Sequence, residues 1–199
     1  MGVKFNLLYI VFHVYFAYAY GQECVLVSNL CIFKQPFFTY FIKQESNHPK
    51  ILRCEGLSEV DLPLEDFSGR YDQLILENCN FTKIPSFGFE NIMPEKMIIQ
   101  YNDNLEEIEA EFMGSNPRWI HELIISSNYD LYEFPFWYLE QFSQLQQFEL
   151  TESAIENVPS DISWPNLLHK IDLSWNLQLY TIQSHAFSRA PSKNLNTEV

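Results

Sequence analysis

Histidines, cysteines and paired carboxylates are the side chains with which proteins hold metals and move protons, and in this 199-residue chain their spacing suits neither task. Beyond residue 21 the histidines are His48, His121, His169 and His185. In the repeat set out below, His121 and His169 take equivalent strand positions two units apart, which at about 4.8 Å per strand separates their backbones by about 10 Å, too wide for a close metal pair. The chain has no H-E-x-x-H, C-x-x-C, G-x-S-x-G or calcium-loop pattern, and six glycines leave little material for a phosphate cradle. Glu106, Glu107, Glu109 and Glu111 look like an acid cluster, but alternating residues on a loop are expected to point apart and be solvated. Acid–base catalysis needs carboxylates that converge in a cleft. The expectation is no catalytic residue, no metal and no cofactor: not an enzyme.

The charge narrows the remaining functions. There are 12 Lys+Arg against 26 Asp+Glu, a formal net charge of −14. Phosphate recognition needs a basic face, so nucleic acid and an anionic membrane surface are excluded as partners. Residues 1–21 read as a secretory signal: Lys4 is a basic start, Phe5 to Phe16 is apolar apart from Asn6 and His13, and Ala17, Ala19 and Gly21 are the small residues ahead of a cleavage after Gly21 or Ala19. No later run is long enough to span a bilayer. The expected mature chain, 22–199, is secreted and extracellular, with 11 cations against 26 acids. In that compartment Asn80-Phe81-Thr82, the one N-x-S/T sequon, marks Asn80 for glycosylation in a turn.

The elements that must position these residues follow from an internal repeat. Its copies run Leu74-Ile75-Leu76-Glu77-Asn78-Cys79 to Phe81 and Ile84; Met97 through Asn102 to Leu105 and Ile108; Leu123 through Asn128 to Leu131 and Phe134; Phe148 through Ser153 to Ile155 and Val158; and Ile171 through Asn176 to Leu179 and Ile182. The intervals are 23, 26, 25 and 23 residues. Each copy has an alternating apolar pair, which predicts a short strand, and then a polar residue, which predicts a turn. After Asn102, Asn128 and Asn176 the next apolar residue comes three positions later; after Cys79 and Ser153 it comes after two. The turn therefore varies by one residue.

These phrases resemble the leucine-rich-repeat family, L-x-x-L-x-L-x-x-N/C-x-L, over about residues 71–185. The resemblance implies an α/β solenoid of about five coils, with a curved parallel sheet on the concave side and short helices or turns on the convex side, whose coils stack to share one core. It implies that Asn102, Asn128 and Asn176 face inward to bond turn backbone, with Cys79 and Ser153 at the same station. Phe87, Phe89, Phe112, Trp137, Ile162 and Phe187 read as the inward faces of the convex elements. The style of repeat also resembles arthropod secreted repeat proteins similar to the non-catalytic subunit of the Oplophorus luciferase. Residues 22–60 look like an N-terminal cap and 61–199 the repeat domain, without a C-terminal cap. Secreted members usually close the first end with four clustered cysteines, whereas this chain has only Cys24, Cys31 and Cys54 there. Cys54 is expected to pair with Cys24 or Cys31 and Cys79 to be a free buried thiol, although four cysteines leave a second bridge open.

A solenoid is better suited to binding than to chemistry. In the family, strand residues that point away from the core form the usual recognition face. The central column is then Ile75, Ile98, Ile124, Glu149 and Asp172, with Tyr101 and Trp175 beside it, and these seven residues are the expected partner-binding set. From Glu95 to Asp161 there are 14 acids and only Lys96 and Arg118 as bases, which would steer a basic protein toward the middle coils. The function expected is a secreted, non-catalytic protein-binding module. The alternatives are an accessory subunit docking through an uncapped end near Leu195–Val199, or a truncated receptor ectodomain.

Overall fold

The computed structural model describes residues 50–57, 62, 64 and 67–191, and the backbone of four further strands. In chain order the strands are β1 (Glu23–Val27), β2 (Leu30–Gln35), β3 (Phe38–Lys43), β4 (Ile51–Glu55), β5 (Gly69–Glu77), β6 (Lys83–Ile84), β7 (Ile92–Gln100), β8 (Glu107–Ile108), β9 (Glu122–Asn128), β10 (Gln147–Ser153), β11 (Asn157–Val158), β12 (Lys170–Asp172), β13 (Thr181–Ile182) and β14 (Asn196–Glu198). One ten-stranded sheet has the order β1-β2-β3-β4-β5-β7-β9-β10-β12-β14. Its first four strands pair antiparallel, and from β4 onward every pairing is parallel. The short strands form two rim ladders, β6 with β8 and β11 with β13.

The alternation in each copy produces this sheet. In β9, Leu123 and Ile125 are fully buried while Ile124 and Ser126 are half-buried; in β10, Phe148 and Leu150 are buried while Glu149 and Thr151 are not. Period-two burial places one face of the sheet on the core and leaves the other open. Leu74, Met97, Leu123, Phe148 and Ile171 occupy the same station in successive coils, each within 1% of full burial. Burying such a side chain is worth about 1.5–3 kcal/mol, and no coil supplies the contacts alone.

On the far side of the core the chain returns through turns and, among the described residues, the 3-10 segments Pro117–Trp119 and Phe136–Gln141. Aromatic rings link consecutive coils there: Phe134 packs on Phe148 at 5.4 Å, Phe148 on Trp164 at 6.1 Å, and Trp164 stacks on Phe187 at 5.6 Å. Buried polar tips are satisfied, with Trp164 Nε1 donating to Ala186 O at 2.8 Å and Tyr138 Oη to Gly114 O at 3.0 Å. Phe89, Phe112 and Ile162 are buried as expected and Phe187 packs against the core. Phe87 and Trp137 are corrections, being 48% and 61% exposed. Phe87 sits at φ +61° in a left-handed turn, and in the 3-10 segment around Trp137 it is Phe136, Tyr138 and Leu139 that turn inward.

Candidate functional site

The turn after each strand is built on one station. Asn102 Oδ1 accepts from Cys79 N at 2.9 Å, Asn128 Oδ1 from Asn102 N at 3.1 Å, and Asn176 Oδ1 from Ser153 N at 3.0 Å. Their amide groups donate to carbonyls of the preceding coil: Asn102 to Leu76 O, Asn128 to Ile99 O, Asn176 to Leu150 O. These bonds answer buried backbone groups that the strand ladder leaves over. Cys79 does part of the same work, its thiol lying 3.7 Å from Cys54 O. Ser153 is too short to reach back, and its hydroxyl donates to Thr151 O of its own strand.

The one-residue difference in turn length is visible in the backbone. Where the spacing is three, a local turn closes, with Leu105 N on Asn102 O, Leu131 N on Asn128 O and Leu179 N on Asn176 O at 2.9–3.0 Å. Where it is two, the chain bonds the previous coil instead, Asn80 N to Leu57 O and Ala154 N to Leu131 O. The residue just before each station is left-handed: Asn78, Tyr101, Ser127, Glu152 and Trp175 have φ of 49–62°. This conformation costs a residue with a Cβ about 1 kcal/mol or more, and the stacked coils hold all five in it.

Strand register brings the predicted central column together. Ile75 pairs with Ile98, Ile98 with Ile124, Ile124 with Glu149 and Glu149 with Asp172, and Asp172 continues to Glu198. The expectation of three exposed isoleucines needs a correction at Ile75, which is only 5% exposed; Ile98 and Ile124 are half-buried. Arg53, paired with Ile75 in the register of β4, reaches to Glu77 at 2.5 Å. Gln100 Nε2 donates to the other oxygen of Glu77 at 2.9 Å. At the acidic end Glu149 is paired with Lys170 at 2.5 Å, and Asp172 accepts from Ser174 Oγ at 2.6 Å. Tyr101 and Trp175 stand at the edge of the sheet, 52% and 72% exposed. Asn80 is exposed in the turn after β5, its Oδ1 accepting from Asn104 at 2.8 Å.

The acid cluster differs from its expected form. Glu107 and Glu109 converge on Lys83, at 3.0 and 2.5 Å, because β8 pairs with β6 and sets both on one side. Lys83 and the Ser86 N–H hold the Glu109 carboxyl down to about 2. A group so acidic is ionised at neutral pH and has no proton to give. An open groove of about 440 Å³ lies alongside, between Glu107, Glu109, Glu133, Phe134 and Trp137. His121 and His169 bond Gln146 from opposite sides, through Gln146 N on His121 O and His169 N on Gln146 O, which puts one strand between them. Among the described residues no group of three or more His, Cys, Asp or Glu is placed to hold a metal, and no helix is long and apolar enough to cross a membrane.

Cys54 and Cys79 are both free thiols in the core. Burial pushes the Cys54 thiol well up and the Cys79 thiol to about 12. The expected Cys54 bridge to Cys24 or Cys31 is not formed, Cys54 being free. β3 lies between β4 and β2, which carries Cys31, and both β2 and β3 separate β4 from Cys24 in β1. Two strand spacings are about 10 Å, beyond disulfide reach. The side chains of Cys24 and Cys31, and the whole of residues 1–21, lie outside the described residues, as does Leu195.

No protein-family model and no curated protein sequence matches the chain. Among solved structures, a chain of the Drosophila Toll–Spatzle complex, described as a molecular hub in development and innate immunity, superposes with a TM-score of 0.52 at 15% identity. The match covers 88% of this chain and 27% of that one, so the chain spans about a quarter of the length of its structural neighbour. In-register parallel strands, an inward asparagine ladder and this likeness establish the fold as a leucine-rich-repeat solenoid.

Proposed function

We propose that the chain is an extracellular, non-catalytic protein-recognition module that binds through the open, concave face of its sheet. The observation that carries this reading is the register of the central column, in which Ile98 and Ile124 lie side by side, half-buried and followed by Glu149 and Asp172. An apolar centre bordered by charge is the anatomy of a protein interface. The structural neighbour comes from a complex of two named proteins, which supports a protein partner here. The excess of acids over bases in the middle coils favours a basic one. The secretory leader, the antiparallel strands as a cap ahead of the coils, and the likeness to arthropod secreted repeat proteins belong to the same reading.

The test is an affinity screen of the full chain against extracellular fluid, followed by mapping of any partner with Ile98→Glu and Ile124→Glu. Partner binding lost in these variants, with unchanged circular dichroism, supports the face; binding retained in both removes it. Glycosylation of Asn80 fits the same setting and predicts a mass loss on N-glycosidase treatment that Asn80→Gln abolishes. An unaltered mass in the secreted chain would exclude it.

A further inference from the structure

The edge of the sheet where the strands end is the most aromatic surface of the described residues. Tyr101, Tyr129, Tyr132, Trp175, Leu177 and Tyr180 are each more than half exposed there. Within that edge the fourth coil is set back. Its turn is one residue shorter than those of the third and fifth coils, and Ala154, bonded to Leu131 O, is buried. The flanking coils keep their longer turns and project Tyr129 on one side and Leu177 on the other, 57% and 89% exposed. Two coil spacings of about 4.8 Å make the recess about 10 Å from wall to wall.

The recess holds two carboxylates framed by rings. Glu152 Oε2 accepts from Ser127 Oγ at 3.1 Å and lies 3.5 Å from Tyr129 Oη; Trp175 occupies the equivalent left-handed position in the next coil. Glu156 is bonded by Tyr180, whose N–H donates to its carbonyl at 3.1 Å and whose Oη donates to its carboxylate at 3.0 Å; Tyr132 holds the same station in the coil before. Among the described residues neither carboxylate is ion-paired, whereas Glu77, Glu107, Glu109, Glu122 and Glu149 all are. Two carboxylates without an ion pair, beside exposed aromatic side chains, match a cation with a flat face: charge draws it to the carboxylates, and the exposed rings offer it surface to stack on.

We propose that this recess is a receptor for an arginine side chain on an exposed segment of a protein partner. It is separate from the concave column and stands whether or not that face binds. A compact ammonium fills it less well, because it offers no plane to stack and no fork to share between two carboxylates.

The probe is a blocked tetra-arginine peptide, titrated against the full chain by calorimetry and by Trp175 fluorescence. Saturable, salt-sensitive binding is expected, several-fold weaker with tetra-lysine and absent with tetra-citrulline. Glu152→Gln with Glu156→Gln weakens it at least tenfold, while Glu90→Gln with Glu140→Gln, which removes equal charge from exposed sites away from the edge, leaves it unchanged. Insertion of one glycine after Ser153 keeps both carboxylates but lengthens the turn, and it abolishes binding if the recess is the receptor. Ile98→Glu leaves this binding intact. Failure of tetra-arginine to bind the folded chain, or equal weakening by the two Glu→Gln pairs, overturns the proposal.

Discussion

Removing the Asn128 side chain is the most direct test of what holds the coils together. The side chain is fully buried and makes four hydrogen bonds: it accepts from Asn102 N and Asn102 Nδ2 at 3.1 and 3.0 Å, and donates to Ile99 O and Ser126 O at 2.9 and 3.1 Å. In Asn128→Ala the Asn102 N–H has lost its acceptor inside the core, at about 1–3 kcal/mol for the unsatisfied donor, and the weakened carbonyl contacts and vacated volume bring the expected loss to about 3 kcal/mol. Against a typical domain stability of about 5–15 kcal/mol this is a large fraction, equivalent to about 6–12 °C in melting temperature for a chain of this size. The chain contains its own control. Cys79 occupies the same station, and its pKa reflects bonds from the Leu57 and Gly56 backbone to sulfur. Asn128→Cys should therefore cost less, about 1–2 kcal/mol, since a thiol is both a weak donor and a weak acceptor. Urea denaturation at constant m-value measures both, and amide exchange at Asn102 should rise selectively in the alanine variant. A loss below about 1 kcal/mol for Asn128→Ala, or equal losses for alanine and cysteine, would refute the claim that backbone satisfaction, not side-chain bulk, is the ladder's contribution.

Trp175→Asn should raise stability by about 0.5–1 kcal/mol, because asparagine tolerates the left-handed conformation better, and it should weaken tetra-arginine binding at the same time; unchanged or lower stability by urea denaturation counts against strain at that station. Lys83→Met should return the Glu109 carboxyl from about 2 toward its ordinary 4.5, read by carboxyl NMR. Because the folded-state value of Glu109 is depressed, its share of the pairing is complete above about 4.5 and lost as pH falls through about 2, so wild type and variant should converge in stability over that window. Lys83 is raised, so its share is complete below its ordinary 10.5 and is lost as pH rises from there through its folded-state value. Cys54 and Cys79 should resist iodoacetamide in the native chain at pH 8 and both alkylate in guanidinium without reductant, by peptide mass spectrometry; a Cys54 disulfide peptide would contradict the strand order.

How much of this was legible in the sequence depends on the range of the interaction. Strands and core stations follow from period two, a signal contained within a dozen positions, and the asparagine ladder from the resemblance to leucine-rich repeats, so the register of Ile98, Ile124, Glu149 and Asp172 could be read directly. The left-handed stations could not, because tyrosine, glutamate and tryptophan fill three of them where local preference calls for glycine or asparagine; stacking between coils overrides propensity. Ile75 is buried beside an ion pair between Arg53, its register partner, and Glu77, residues 24 apart. Glu107 and Glu109 converge only because a two-residue strand lies beside Lys83, 24 positions earlier for Glu107. The cysteine error had the same origin: an expected cap pairing ignored the strand that separates β4 from β2.

Turn length is the case in which a legible signal carried more than its local meaning. A spacing of two or three after the ladder residue is plain in the sequence, and locally it says only which hydrogen bond closes the turn. Stacking converts that difference into relief: a short turn between two long ones becomes a recess, and the short turn at Cys79 lies three coils away from it, next to the long turn of Asn102. The residues at the recess then matter for reasons no single coil shows, since Glu156 and Tyr180 meet only because their coils are in register. Lengthening the turn after Ser153 should therefore remove arginine binding with every side chain still present, whereas lengthening the turn after Cys79 should leave it untouched. The comparison separates the shape of the edge from its composition.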